Sequence, residues 1–120
     1  MKLDEIISVL NAELITHGVK MDSDIKEAFA CDLLSWVVGH ACPGCAFITI
    51  QTGINIVAVA SLMEISCIII VQNADIDKKV LDRALQENIP IVRTNLTTFE
   101  VCGILYKNGI KAVNKNEIVR

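Results

Sequence analysis

A long uncharged segment constrains this chain more than any other feature of its sequence. Between Leu33 and Ala74 the only residue with a formal charge is Glu64, and every other charged residue lies in the flanking segments. A surface that faces water needs charged or other polar groups. The segment must therefore form the core, face a second subunit or enter a membrane.

The stretch from Gly53 to Val71 is apolar enough to be tested as a transmembrane helix. Against this interpretation, Asn55, Glu64 and Ser66 would lie in hydrocarbon, and no lysine or arginine closely flanks either end. The spacing of apolar residues also changes within the stretch from helical to strand-like. We therefore predict no membrane association.

Length and charge narrow the functional classes. The chain has 120 residues and a net charge of −3, so we expect a single domain over residues 1–120 without the basic surface that binds nucleic acid. Only 4% of the residues are aromatic, which disfavours a surface for stacking bases. The N-terminal residues Met1–Glu5 lack the features of a signal peptide, and the five cysteines form an odd set. Both observations predict a cytoplasmic protein with reduced thiols.

Apolar periodicity and turn signals predict alternating strands and helices, with three βα units after the Pro43–Gly44 turn. The predicted strands of these units are Cys45–Ile50, Cys67–Val71 and Pro90–Arg93, and their helices run from Asn55 to Glu64, from Asp75 or Asp77 to Glu87, and from Asn95 or Thr97 to Lys107. The preceding elements are a helix over Leu3–Leu10, strands over Leu14–Thr16 and Ile25–Cys31, and a short helix over Leu33–Val38 that Asp32 caps. The predicted fold class is α/β, with three consecutive βα units, a mainly parallel sheet and an N-terminal αβ extension.

Polar residues follow each of the three later strands, at the ends where open α/β sheets bind ligands. Helix N-termini come directly after them, and their backbone amides can bind an anion. N-capping explains Asn55, Asp75 and Asn95, but it does not explain Gln51, Gln72 or Arg93. Asp32 either faces the same ligand or only caps its helix. The predicted ligand-binding residues are Gln51, Thr52, Gly53, Asn55, Gln72, Asn73, Arg93, Thr94, Asn95 and Asp32.

A second candidate site is the pair Cys42 and Cys45, which follows His40. Such a CxxC pair can be half of a metal site or a redox pair. A metal site needs four ligands, and the sequence has no second CxxC. The pair also precedes a predicted strand instead of opening a helix, so no helix dipole lowers a thiol pKa there. Two small cysteines in a turn are the simpler interpretation, and we predict neither a metal nor a cofactor.

Four short motifs resemble the DRTGG domain family, and the resemblance covers nearly the whole chain. They are the segment Ala28–Ser35, the Pro43–Gly44 turn before a strand, Ile89–Val92 and Thr97–Glu100. The family is similar in fold to the N-terminal domain of HPr kinase/phosphorylase, whose kinase chemistry lies in a separate P-loop domain. This chain lacks the G-x-x-x-x-G-K-[ST] motif of a P-loop. The resemblance therefore implies a regulatory module without enzymatic activity, in some longer proteins placed near a nucleotide site.

The sequence departs from the family in the two loops that give it its name. Where the resemblance places Asp-Arg and Thr-Gly-Gly, this chain has Thr52–Asn55 and Gln72–Asp75. Two main functions stay open: a sensor that binds a small anionic or nucleotide-like ligand, and an accessory subunit that binds a metabolic or redox enzyme. A thiol or metal function through Cys42 and Cys45 is a third alternative.

The predicted helix Asn55–Met63 has no charge on any face. A helix that is apolar all round must be covered by another surface. We predict a homodimer, and the alternative is burial of this helix within the monomer by the N-terminal extension. The residues predicted at the subunit contact are Ile54, Val57, Ala58, Ser61 and Leu62.

Overall fold

The computed structural model describes residues 1–20 and 22–113, and its centre is a six-stranded mixed sheet. The strands are β1 (Glu13–Leu14), β2 (Glu27–Ala30), β3 (Ala46–Thr49), β4 (Cys67–Ile70), β5 (Ile91–Arg93) and β6 (Lys111–Ala112). The helices are α1 (Leu3–Val9), α2 (Leu34–Val37), α3 (Asn55–Leu62), α4 (Lys78–Gln86) and α5 (Thr98–Lys107). The predicted fold class is confirmed, with βα units β3–α3, β4–α4 and β5–α5 after an N-terminal extension.

The strand order is β1-β5-β4-β3-β2-β6, and every neighbouring pair is parallel except β1 with β5. The chain moves one strand at a time from β2 to β5 and then returns across the whole sheet to β6. The return passes through α5. This arrangement places the carboxyl ends of β2, β3, β4 and β5 along one edge of the sheet.

The helices cover the sheet in two layers, which explains why the central strands are apolar on both faces. Alternate residues of β3 enter opposite cores: Phe47 packs with α2, α3 and α4, whereas Ile48 packs with α1 and α5. All four residues of β4 are buried, as predicted from its continuous apolar run. The burial of these two strands explains part of the scarcity of charged residues between Leu33 and Ala74.

The buried inner side of helix α3 explains a further part of the scarcity of charged residues, but its outer side does not. Its residues Ile56, Val57, Val59 and Ala60 are buried against the sheet, while Leu62 is 67% exposed. The prediction of Val57 at a subunit contact is therefore wrong, because this side chain is fully enclosed by the monomer's own core. The other residues predicted at the contact are exposed: Ile54, Ala58, Ser61 and Leu62.

Helix starts differ from the predicted caps in two places. Leu33, not Asp32, is the N-cap of α2, and Asn55 is the first residue of α3 instead of its cap. Asp77 stands at the N-cap of α4 without a side-chain hydrogen bond. Thr97 does cap α5, because its hydroxyl accepts from the Glu100 amide at 3.2 Å.

Among the described residues, no helix combines the length and apolar character that crossing a membrane requires. This finding agrees with the interpretation of Gly53–Val71 as two buried elements joined by a turn, α3 and β4.

Candidate functional site

The carboxyl edge of the sheet brings together three of the predicted loops, because β3, β4 and β5 are adjacent strands. The loop after β2 joins them through the parallel pairing of β2 with β3. Most of the predicted side chains on this edge are exposed to solvent. The exposed residues are Asp32, Gln51, Gly53, Asn55, Gln72, Asn73 and Asn95, while Thr52 and Arg93 are half-buried.

Asp32 organises the β2–β3 side of this edge. Its Oδ1 atom accepts hydrogen bonds from the Thr49 hydroxyl at 2.8 Å and from the Ile50 amide at 2.9 Å. The Gln51 side-chain amide donates to the Asp32 carbonyl at 3.0 Å. These three bonds fix the Asp32 carboxylate and orient the Gln51 side chain at the edge.

The sequence prediction missed Thr49, the residue that carries this network. Its side chain is fully buried, and its oxygen also accepts from the Gln51 amide at 3.1 Å. The available signal was a single hydroxyl residue in an otherwise apolar strand. A buried hydroxyl must find partners, and the nearest carboxylate is supplied by the neighbouring strand.

The loops after β4 and β5 are joined to each other by their backbones. The Gln72 amide donates to the Leu96 carbonyl and the Asn73 amide to the Thr94 carbonyl, each at 2.9 Å. Main-chain hydrogen bonds therefore connect the carboxyl ends of β4 and β5. The side chains of Gln72 and Asn73 extend from this connection toward solvent.

Thr94 does not belong to the ligand-binding surface, which corrects the prediction for this residue. Its side chain is 1% exposed, and its hydroxyl donates to the Leu10 carbonyl at 3.0 Å. The Leu96 amide in turn donates to the same hydroxyl at 3.3 Å. Thr94 therefore anchors the β5–α5 loop to the end of α1.

Arg93 supplies positive charge at this edge. Its side chain is 28% exposed, and its Nη2 atom lies 3.9 Å from a carboxylate oxygen of Glu13 on the adjacent strand β1. A single contact of this length leaves most of the guanidinium donors free for an anion. Lys78 and Lys79, which the sequence prediction did not include, begin α4 on the same edge.

The cysteine pair lies at the opposite edge, since Cys45 directly precedes β3. The Cys42 thiol donates to a carboxylate oxygen of Glu27 at 3.4 Å. Burial, together with the negative charges of Cys45 and Glu27, raises the pKa of Cys42 to about 12. Burial also raises the pKa of Cys45. These environments oppose thiolate formation and so disfavour redox chemistry.

The structure does not bring His40 together with Cys42 and Cys45 as the metal alternative would require. His40 stacks on the ring of Trp36 at 3.8 Å, and its Nδ1 atom lies 2.7 Å from the Trp36 carbonyl oxygen. Within residues 1–20 and 22–113, no three His, Cys, Asp or Glu side chains are grouped as a metal site would require. The geometry thus gives the metal alternative no support.

The structure also contains an apolar groove of about 190 Å³. It runs between α5 and the outer strands of the sheet. Its lining includes Ala28, Ala30, Ile48, Cys102, Tyr106 and Ile110. The groove exists because α1 and α5 cover only part of this face.

The fold is similar to that of a solved regulatory region. The structure of the CBS and DRTGG domains of the regulatory region of Clostridium perfringens pyrophosphatase, complexed with the activator diadenosine tetraphosphate, matches with a TM-score of 0.69 at 19% identity. The match covers 86% of this chain and 45% of that one. This likeness concerns the fold.

A comparison with curated protein sequences finds no match. The model of the DRTGG domain, by contrast, matches residues 5–107, which include the carboxyl edge and both faces of the sheet. The chain belongs to the DRTGG domain family.

Proposed function

We propose that this protein is a non-enzymatic regulatory module of the cytoplasm that binds a small anionic, nucleotide-like ligand at the carboxyl edge of its sheet. One observation carries the proposal: exposed hydrogen-bonding side chains from adjacent loops lie on the same edge as the half-buried side chain of Arg93. The pyrophosphatase region of similar fold was solved with a nucleotide activator, which supports this class of ligand.

The residues of the edge divide into those that position and those that bind. Asp32 and Thr49 hold the loop after β3, and Thr94 holds the loop after β5. Arg93 then attracts phosphate groups, because a guanidinium donates to two phosphate oxygens at once. Gln51 adds further hydrogen-bonding capacity on the same edge, two strands away, through the carboxamide oxygen that its bond to Asp32 leaves free.

We further propose that the protein is a homodimer through the outer face of α3, formed by Ile54, Ala58, Ser61 and Leu62. This face is exposed and uncharged, and α3 begins directly after the loop that carries Gln51 to Gly53. A ligand that contacts this loop and displaces it would change the position of the first turn of α3. Ligand binding and subunit contact are thereby coupled through one short segment.

The test is a titration of the purified chain with diadenosine tetraphosphate, ATP, ADP and AMP, followed by thermal unfolding and calorimetry. We expect at least one nucleotide to raise the unfolding temperature, as binding to the native state must. Arg93→Ala abolishes the shift. Arg83→Ala, which removes an exposed arginine of α4, is the matched control and retains it. The absence of any shift in the wild-type chain contradicts the proposal.

A second candidate function is that of an accessory subunit, favoured by the exposed apolar side chains of α2 and its N-cap. Leu33 is 63% exposed and Trp36 is 53% exposed, and α2 itself contains no charged residue. Exposed apolar patches of this kind mark protein contacts. A partner enzyme that copurifies with the wild-type chain and is lost with Trp36→Ala supports this function over ligand sensing.

A further inference from the structure

Five residues other than glycine have a left-handed backbone in the described part of the chain, and helix ends explain three of them. Asn11, Glu64 and Asn88 each stand two residues past the end of a helix, where left-handed residues commonly terminate helices. The remaining two, Gln72 and Asn73, have φ angles of 56° and 51°. They are consecutive and form the centre of a turn between β4 and α4, closed by the bond from the Ala74 amide to the Val71 carbonyl at 3.2 Å, and both central residues of such a turn have positive φ.

The backbone of this loop holds it in place, and its side chains do not. Both backbone amides are engaged with the loop after β5, through the bonds to Leu96 and Thr94. Both side chains are exposed, and neither carboxamide forms a hydrogen bond with any group that the structure describes. Glycine adopts the same φ angles with less strain. The turn therefore requires positive φ at two positions that glycine would fill with less strain, and the side chains found there form no hydrogen bond with the rest of the described fold.

The position of the pair suits contact with a ligand that also reaches Arg93. The Asn73 amide donates to the carbonyl of Thr94, the residue that directly follows Arg93 in the chain. Ile70, two residues before Gln72, is paired with Arg93 in the sheet. The two carboxamides and the guanidinium therefore stand on neighbouring strand ends.

We propose that Gln72 and Asn73 recognise the base of the nucleotide-like ligand and favour adenine, while Arg93 binds its phosphates. A carboxamide offers one acceptor and donors on the same planar group. Adenine presents a complementary pair, the N6 amino donor and the N7 acceptor, whereas hypoxanthine presents two acceptors at the equivalent positions. This inference rests on the proposed function and assigns the part of the ligand that this loop reads.

The experiment compares ATP, ITP and inorganic triphosphate by calorimetry on the full chain. We expect the wild-type protein to bind ATP about tenfold more tightly than ITP, the discrimination that one good bidentate contact provides. The double variant Gln72→Gly/Asn73→Gly loses this preference and keeps its affinity for triphosphate. Its Tm equals or exceeds that of the wild type, because the backbone strain is relieved.

Glu64→Gly is the matched control, since Glu64 has the same backbone conformation with φ 55° but lies at the far end of α3. It also keeps or raises Tm, and it leaves the preference for ATP over ITP unchanged. Equal binding of ATP and ITP by the wild type overturns the inference while the proposed function stands. A lower Tm of the double variant also overturns it, because the carboxamides would then serve the fold. Failure of every nucleotide to bind overturns both proposals.

Discussion

Helices α3 and α4 are neighbours on the same face of the sheet, yet their outer surfaces are opposite in character. The outer side of α4 carries two ion pairs spaced four residues apart, Lys78–Asp82 at 3.2 Å and Arg83–Glu87 at 3.3 Å. The outer side of α3 carries no charge and exposes Leu62. Both helices follow buried parallel strands, so their positions in the fold are equivalent.

The inner sides of the two helices are alike, so the excess of apolar residues in α3 lies on its outer side. Ile56 and Ala60 in α3 are buried in the same core as Val80 and Ala84 in α4. A solvated outer face is therefore compatible with this packing, as α4 demonstrates. The core does not require the outer face of α3 to be uncharged, and this is the reason for proposing that a second surface covers it.

The largest expected effect on stability comes from truncating a buried side chain of α3, compared with truncating an exposed one. Ile56→Ala removes a fully buried side chain and should lower the free energy of unfolding by about 2–5 kcal/mol. Leu62→Ala should change it by less than about 0.5 kcal/mol in the monomer, because that side chain is exposed. Urea unfolding at low protein concentration measures both. Equal losses would mean that Leu62 is part of the core, and the comparison of the two helices would fail.

Charge placed on the outer face of α3 should weaken the dimer. We expect Leu62→Lys to raise the dimer dissociation constant at least about tenfold, since a desolvated ammonium at the contact has no partner of opposite charge on this face. Lys79→Glu on α4 alters an equally exposed position and should leave the constant unchanged. Analytical ultracentrifugation gives both values. A wild-type mass of 13.1 kDa at high concentration would contradict the dimer itself.

Helix α5 sharpens the comparison, because it begins with a capping box that α3 and α4 lack. Thr97→Ala should cost about 1 kcal/mol of stability. Hydrogen bonds from the Thr97 amide and hydroxyl lower the pKa of Glu100 below its usual 4.5. The stabilisation from the Glu100 carboxylate is thus complete above that pH and is lost as the pH falls through the lowered pKa.

Unfolding curves between pH 7 and pH 3 test this assignment. The wild type should lose the stabilisation from the Glu100 carboxylate as the pH falls in the acid range. Glu100→Gln should remove the part of the pH dependence that Glu100 contributes. A pH profile unchanged by Glu100→Gln would show that the capping box contributes nothing.

The elements that sequence reasoning predicted well are those whose signals are local. Strand β4 has a continuous apolar run, and α5 begins at a threonine followed three residues later by a glutamate. Strand β6 was missed because Lys111 and Ala112 are both exposed and show no strand pattern. It exists only because its backbone pairs with β2 on the far side of the sheet.

The errors in the candidate site have the same origin. Asp32 was expected to cap the next helix, but strand pairing offers its carboxylate the buried hydroxyl of Thr49. Thr94 was expected to face a ligand, but the end of α1 offers its hydroxyl the carbonyl of Leu10. In both cases the partner is distant in sequence, and no local pattern encodes it. The left-handed pair at Gln72 and Asn73 escaped prediction for a different reason, since glutamine is not a residue that signals positive φ.

The return crossing through α5 also determines the order in which this protein can be completed during synthesis. Glu27 pairs with Lys111, so β2 gains its outer neighbour only after α5 has been made. Strands β3, β4 and β5 can form earlier, because short crossovers join them. Until β6 is added, a nascent chain presents the unpaired edge of β2, to which another chain can add a strand. Variants that destabilise α5 should therefore increase the fraction of the protein that aggregates during expression.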